Sequence, residues 1–345
     1  MKRVAILVFL IASCSVLFIS WMRLDKDSSG IKIQGVNLEA PRNPVAIEAL
    51  MPLKEIHTEW VSVIPYAFTD PVNPKVHFDY HQLWWGEGIQ GATATIKMAQ
   101  DLGLKIMLKP HVWVRGQGWA GDFDAGNEEN WKLWENSYED YIMTYARLAD
   151  SLDIELFCIG TEHRKSAKER PEYWISLVKK VRSIYKGKIT YAANWDNHEN
   201  ITFWSAMDYI GVDAYFPLCE RKTPTVESVM KGWMPITGKL KTMSKQYDKP
   251  ILFTEYGYRS MDYAADGHWK YNRDTLLTNN EAQANAYKGL YLTFWDKPWF
   301  AGGFLWKWHL QTVTRQDRLA RAFTPQNKPA LEIIRKRYKK GNEEY

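Results

Sequence analysis

Residues 156–196, LFCIGTEHRKSAKERPEYWISLVKKVRSIYKGKITYAANWD, hold two short apolar runs with an amphipathic segment between them. The runs Leu156–Gly160 and Ile189–Ala193 are nearly continuous rather than alternating, as in parallel strands that are covered on both faces. Between them Pro171 opens a helix at a position that tolerates a missing N–H. Trp174, Leu177, Val181 and Ile184 form its apolar stripe, and Gly187 closes it. Strand, helix and parallel strand within one short stretch make a βαβ unit.

The same alternation extends in both directions. Six further runs read as strands: Ile33–Leu38, Trp60–Ala67, Lys105–Val112, Tyr209–Ala214, Pro250–Thr254 and Gly302–Trp306. Upstream of the quoted unit, Trp131, Trp134, Tyr138, Tyr141, Tyr145 and Leu148 step by three and four along one helical face. Eight such units without a linker rich in Pro, Gly or Ser predict an α/β fold, a single (β/α)8 TIM barrel over residues 31–340. Composition agrees. The chain has 345 residues, is 46% hydrophobic and 25% charged, and has only 3 Cys, which excludes disorder, collagen-like sequence and a disulfide-stapled miniprotein. Cys158 and Cys219 fall in strand or strand-end patterns and are expected as free thiols. The net charge of +5 is spread along the chain, apart from a cluster at Arg335, Lys336, Arg337, Lys339 and Lys340. That cluster reads as a solvated helix face, and no nucleic-acid partner is expected.

Ahead of the barrel, Lys2 and Arg3 precede an uncharged, largely apolar run from Val4 to Met22. Residues 1–22 are expected to be a signal peptide, a lipoprotein signal with lipid on Cys14, or a membrane anchor, followed by a short linker over 23–30. Each alternative places the remaining chain outside the cytoplasm. Three long loops follow the C-terminal ends of strands, the face on which barrels of this kind build active sites. They carry Trp84-Trp85-Gly86, Arg115-Gly116-Gln117-Gly118-Trp119 and Asp266-Gly267-His268-Trp269.

Two carboxylates directly follow apolar runs, Glu162 and Glu255. They are 93 residues apart, three units of 31, which puts them on the fourth and seventh strands. Those strands face one another across the mouth of an eight-stranded barrel, so both side chains can enter one cleft. Desolvating a carboxylate is costly unless it is paired, so a strand end gains no stability from one. Opposed carboxylates are the equipment for cleaving a glycosidic bond. One, protonated, donates to the leaving oxygen, while the other, ionised, attacks or stabilises the anomeric carbon.

The motifs GVN at 35–37, KIMLKPHVWV at 105–114, CIGTE at 158–162, YAANWD at 191–196, GVDAYFPL at 211–218, ILFTEYGYRS at 251–260 and AGGFLWKW at 301–308 together resemble glycoside hydrolase family 113. The resemblance runs from about Ile33 to the FTPQNKP segment at 323–329. It implies a retaining enzyme of the (β/α)8 clan that acts on β-1,4-mannans, with Glu162 as acid/base and Glu255 as nucleophile. It also implies that Tyr215 hydrogen-bonds the nucleophile and that Trp306, or Trp308 on the same side of its strand, is the platform for the sugar being cleaved. Most families of the clan have Asn before the acid/base. Thr161 stands there in this chain, so a contact to the sugar 2-hydroxyl must be made differently.

Other substrate-binding candidates come from the residues themselves. Asn194 and Asp196 can bind hydroxyls, and Trp195 offers a flat apolar face to a pyranose. Lys109, His111 and Trp113 alternate along one strand and share a side, with the lysine either a hydroxyl donor or a charge partner of Glu162 or Asp213. Asp213 fits sugar binding or a supporting place behind the carboxylates. Trp84 and Trp85 are candidate outer platforms, and Trp119 and Trp269 join the aromatic group facing the carboxylates. Trp131, Trp134, Trp174 and Trp204, on helix stripes, are expected in the core. A metal-dependent hydrolase would have to enlist His111, Glu162, His163, Asp213 and His309, whose spacing shows no ligand motif. Neither a metal nor another cofactor is expected. The alternatives are a retaining β-glycosidase acting on another glycan, such as a β-glucan or a glucosamine-containing polymer, and a non-catalytic carbohydrate-binding barrel, which would not need both glutamates.

Overall fold

The apolar runs form the staves of a closed, all-parallel barrel in a computed structural model that describes residues 32–311 and 319–339. The barrel strands are β1 (Ile33–Leu38), β2 (Trp60–Val63), β3 (Lys105–Leu108), β4 (Leu156–Thr161), β5 (Lys188–Asn194), β6 (Ile210–Asp213), β7 (Ile251–Tyr256) and β8 (Phe300–Trp308). Each pairs with its neighbours in sequence, and β8 returns to β1. Residues 1–31, which carry the expected export or anchor segment and Cys14, lie outside the described residues. Among the described residues no helix is long and apolar enough to cross a membrane.

Side chains divide by strand parity. Ile33, Met107, Leu156, Cys158, Ala192, Leu252 and Phe304 pack together as one small cluster inside the barrel. Their strand neighbours, such as Ile106, Phe157, Tyr191 and Phe253, face the surrounding helices in the main core. The helix Glu128–Ser151, capped by the Asn127 side chain, presents Trp131, Trp134, Tyr138, Tyr141 and Tyr145 to that core. Trp174 and Trp204 are also buried, as expected, and Trp233 joins them. Cys158 and Cys219 are free thiols. In the last helix, Pro329–Tyr338, Arg335 pairs with Glu332 at 2.7 Å on the outer face, and the Tyr338 hydroxyl points inward to donate to the Gly35 carbonyl at 2.9 Å.

Two strands are shorter than their sequence predicts. Pro65 and Pro110, which have no N–H to give to a ladder, end β2 and β3. The chain continues at Tyr66–Thr69 and His111–Val114, which pair in parallel. With His77–Phe78 they make a separate three-stranded sheet beside the barrel.

The β1/β8 seam is held by Glu39, whose carboxylate pairs with both Lys307 and His309. Burial raises its pKa, but the hydrogen bond and charge of His309 and the charge of Lys307 outweigh this and lower it to about 2. A depressed carboxylate pKa contributes stability above the unfolded value and loses it as pH falls through the folded one. The protein is therefore expected to lose on the order of 2 kcal/mol between about pH 4.5 and 2 from this group. Thermal melts of Glu39→Gln should show a lower midpoint at pH 7 and a shallower decline over that window.

Candidate active site

At the end of β4 the backbone turns sharply. Gly160 leaves room for Trp174, whose ring would lie 2.7 Å from any Cβ at that position. Two residues later Glu162 has φ of +55°, a left-handed conformation that is strained for a non-glycine residue. Its N–H donates to the Ala192 carbonyl at 2.8 Å, which fixes the turn against β5. Strict alternation along β7 would send Glu255 outward with Phe253. A register shift between those residues brings Glu255 to the cleft side instead.

Both glutamates line one cleft of ≈ 610 Å³ at the C-terminal ends of the strands. Its walls are Trp113, Trp119, Arg164, Asn194, Trp195, Asp196, Tyr215, Arg259, His268, Trp269, Trp306 and Phe323. Trp195 and Trp269 stack with centroids 5.1 Å apart, and Trp306 lies parallel to the His111 ring at 6.2 Å. Arg164 sits over Trp119 and binds the carboxylates of Asp122 and Asp196, tying the loop after the His111–Val114 strand to those after β4 and β5.

The two carboxylates have opposite surroundings. Glu255 accepts from Lys109 Nζ at 2.5 Å on Oε1 and from the Tyr215 hydroxyl at 2.6 Å on Oε2, with His111 Nε2 3.6 Å from Oε1. The Glu162 carboxylate accepts from Trp119 Nε1 at 2.5 Å, and from no other side chain among the described residues. Burial, followed by the charges of Asp213 and Glu255, pushes Glu162 well above the usual carboxylate range, and the Trp119 bond only partly opposes this. The shift favours its protonated form, as a proton donor requires. Burial pulls Lys109 down, but Asp213 and Glu255 outweigh it and hold the ammonium above its ordinary value. Asp213 is pushed up to about 7 by burial and by Glu255, against the pull of Lys109 and Thr254. His111 is lowered well below 6.5 by burial and by Lys109, so its ring is neutral.

Of the residues predicted to bind sugar, Trp113, Asn194, Trp195, Asp196, Tyr215 and Trp306 line this cleft together with Glu162 and Glu255. Several others do not. Lys109 and Asp213 are wholly buried beneath the cleft and bind Glu255 or each other rather than facing substrate. His111 stands behind Trp306, against Glu255. Trp308 is in the main core, because β8 carries one extra residue, Lys307, between the pairs Asn37–Trp306 and Leu38–Trp308. That residue reverses the side on which Trp308 falls. Trp84 and Trp85 are off the cleft wall. Their turn is bonded to the Pro41 and Arg42 carbonyls, and Arg42 covers the Trp84 ring. Arg164, Arg259, His268 and Phe323 were not predicted, although His268 sits in the DGHW loop and Arg259 in the ILFTEYGYRS motif.

The side chains a metal site would need are dispersed. His163 packs among Trp134, Tyr138 and Trp174, and His309 is bound to Glu39. Among the described residues no group of three or more His, Cys, Asp and Glu is placed to hold a metal ion.

A family model described as Glycoside Hydrolase Family 113 matches residues 39–326. The chain belongs to glycoside hydrolase family 113. This family 113 chain is therefore a glycoside hydrolase, which acts on a carbohydrate. Among solved structures it is similar to a GH113 β-mannanase from Alicyclobacillus acidocaldarius in complex with ManMIm, at 24% identity and a TM-score of 0.77, over 90% of this chain and 98% of that one. A GH113 β-1,4-mannanase complex is 26% identical with a TM-score of 0.75, over 89% and 98%. A Faecalibacterium prausnitzii β-glucuronidase shares the fold at 14% identity and a TM-score of 0.60, over 89% of this chain and 49% of the other. No curated protein matches the chain.

Proposed function

We propose that this glycoside hydrolase cleaves β-1,4-mannosidic bonds with retention, by double displacement, with Glu162 as acid/base and Glu255 as nucleophile. The observation that carries this reading is the pair itself. Two glutamates from strands across the barrel mouth enter one cleft, one held by a cation and a hydroxyl, the other shifted toward its protonated form by burial and by the charges of Asp213 and Glu255. In the first step Glu162 gives its proton to the departing oxygen as a Glu255 oxygen bonds to the anomeric carbon. In the second, Glu162 takes a proton from the water that displaces Glu255. The mannan substrate is supported by family membership and by likeness to the two GH113 mannanases.

Trp306 serves as a sugar platform on the Glu255 side of the cleft, since its ring lies parallel to His111, whose Nε2 is 3.6 Å from Glu255 Oε1. The Trp195–Trp269 pair offers a second, outer platform. Trp195→Ala removes one ring and the partner of the other, so KM for a mannooligosaccharide is expected to rise about tenfold, with kcat changed less than threefold. Steady-state kinetics on mannopentaose checks this. The apolar run at Val4–Met22 supports an exported protein that is cleaved, lipidated at Cys14 or anchored.

The substrate is tested by incubating the pure enzyme with mannan, glucomannan, β-glucan and chitosan. Reducing ends released from the mannans support the reading. Release from β-glucan or chitosan alone would move the substrate to another glycan, and release from none would leave a binding barrel.

A further inference from the structure

On the floor of the cleft one ammonium serves two carboxylates. Lys109 Nζ is 2.5 Å from Glu255 Oε1 and 3.2 Å from Asp213 Oδ1, and neither the Lys109 nor the Asp213 side chain is open to solvent. Asp213 Oδ1 also accepts from Thr254 Oγ1 at 2.7 Å, which fixes its angle. Asp213 does not line the cleft, so it has no sugar to bind. A second buried acid beside the nucleophile is costly to ionise while Glu255 is charged, and packing alone gives no reason to keep it.

The reaction supplies a reason, on the retaining reading above. In the first half-reaction a bond forms between a Glu255 oxygen and the anomeric carbon, the bond to the leaving oxygen breaks, and the Glu162 proton goes to that oxygen. Negative charge thus moves from Glu255 to Glu162, and Glu255 becomes a neutral ester. The buried Lys109 ammonium then loses its shorter ionic contact. Other groups around it cannot replace that contact: burial pushes the Cys158 thiol up to about 11, and the His111 ring is neutral. Esterification also removes the Glu255 charge that pushes Asp213 up, so Asp213 ionises more readily and is a carboxylate in direct contact with Lys109, at 3.2 Å.

We infer that Asp213 is a positioning residue for the second half-reaction, holding Lys109 charged and aimed at Glu255 Oε1 while Glu255 is esterified. When water attacks the anomeric carbon and Glu255 departs as a carboxylate, its counter-ion is already in place, and no reorganisation is needed as the charge re-forms.

The test uses dinitrophenyl β-mannobioside, stopped-flow release of the phenol and intact mass of acid-quenched enzyme. For Asp213→Asn we expect kcat to fall roughly 10- to 100-fold, the effect of one charge-assisted bond. Because kcat/KM reports the first half-reaction, it should fall less than about threefold, so that KM drops with kcat. The phenol burst should approach one per active site, with a mannobiosyl adduct accumulating. Lys109→Met should lower kcat at least as far, and the double variant no further than Lys109→Met alone. Thr254→Val, which frees one side of the Asp213 carboxylate, should show the same accumulation to a smaller degree and serves if Asp213→Asn does not fold. A parallel fall of kcat and kcat/KM without an adduct, or kinetics unchanged from wild type, would overturn the proposal while leaving the retaining mechanism intact. A wild-type enzyme that gives no adduct with a 2-deoxy-2-fluoromannosyl fluoride overturns both.

Discussion

Glu255→Ala is expected to lower kcat on mannooligosaccharides by roughly 10⁴-fold or more while the protein stays folded. The variant removes the atom that bonds to the anomeric carbon, and the sugar platforms on the cleft wall do not depend on it. It also leaves Lys109 with Asp213 alone, a pairing at 3.2 Å that is already present. Azide should enter the space vacated by the carboxylate and restore turnover on an activated aryl β-mannoside. Its product should be the α-mannosyl azide, since a single displacement inverts configuration. Substantial activity in this variant without azide would remove Glu255 from the reaction.

Glu162→Gln is the second large effect, and its size depends on the leaving group. Natural substrates leave as alkoxides that need a proton, so kcat/KM on mannooligosaccharides should fall by roughly 10²- to 10⁴-fold. A dinitrophenyl mannoside leaves unaided, and its kcat/KM should hardly change. The pH profile gives the independent check. Glu162 works protonated, its pKa is raised by burial and then by Asp213 and Glu255, and so wild-type kcat/KM on natural substrates should fall as pH rises through that value. On the activated substrate the variant should lack this alkaline limb. Trp119, whose indole N–H holds Glu162 Oε2, limits the rise, and Trp119→Phe should move the limb to higher pH.

How far the sequence could be read depended on the range of the signal. Parallel strands covered on both faces leave continuous apolar runs, so all eight staves and the positions of Glu162 and Glu255 were visible as a periodic pattern. Which way a side chain points was less visible, because alternation holds only while a strand is unbroken. Lys109, His111 and Trp113 look like one face of one strand. Pro110 divides them, leaving Lys109 under the cleft and placing the other two on a separate sheet. The extra residue at Lys307 sends Trp308 to the core in the same way. Contacts between loops distant in sequence, such as Trp119 on Glu162 and Trp195 on Trp269, leave no local mark, although their loops were recognisable as cleft walls from their length and aromatic content. The tryptophans illustrate both cases. Trp131, Trp134 and Trp174, on the stripes of long helices, were separable by their period, and Trp204 is buried from a short 3-10 turn rather than a stripe; Trp84 and Trp85 share the composition of a platform and pack instead against the segment after β1.

The central claim is that two glutamates divide a double displacement between them. Proton NMR of the wild-type enzyme acting on mannopentaose, recorded in the first minutes before mutarotation, tests it most directly. The account predicts that the β-anomer of the newly formed reducing end appears first and the α-anomer only later. An α-anomer formed first would mean inversion by one displacement, and Glu255 would then activate water rather than bond to sugar.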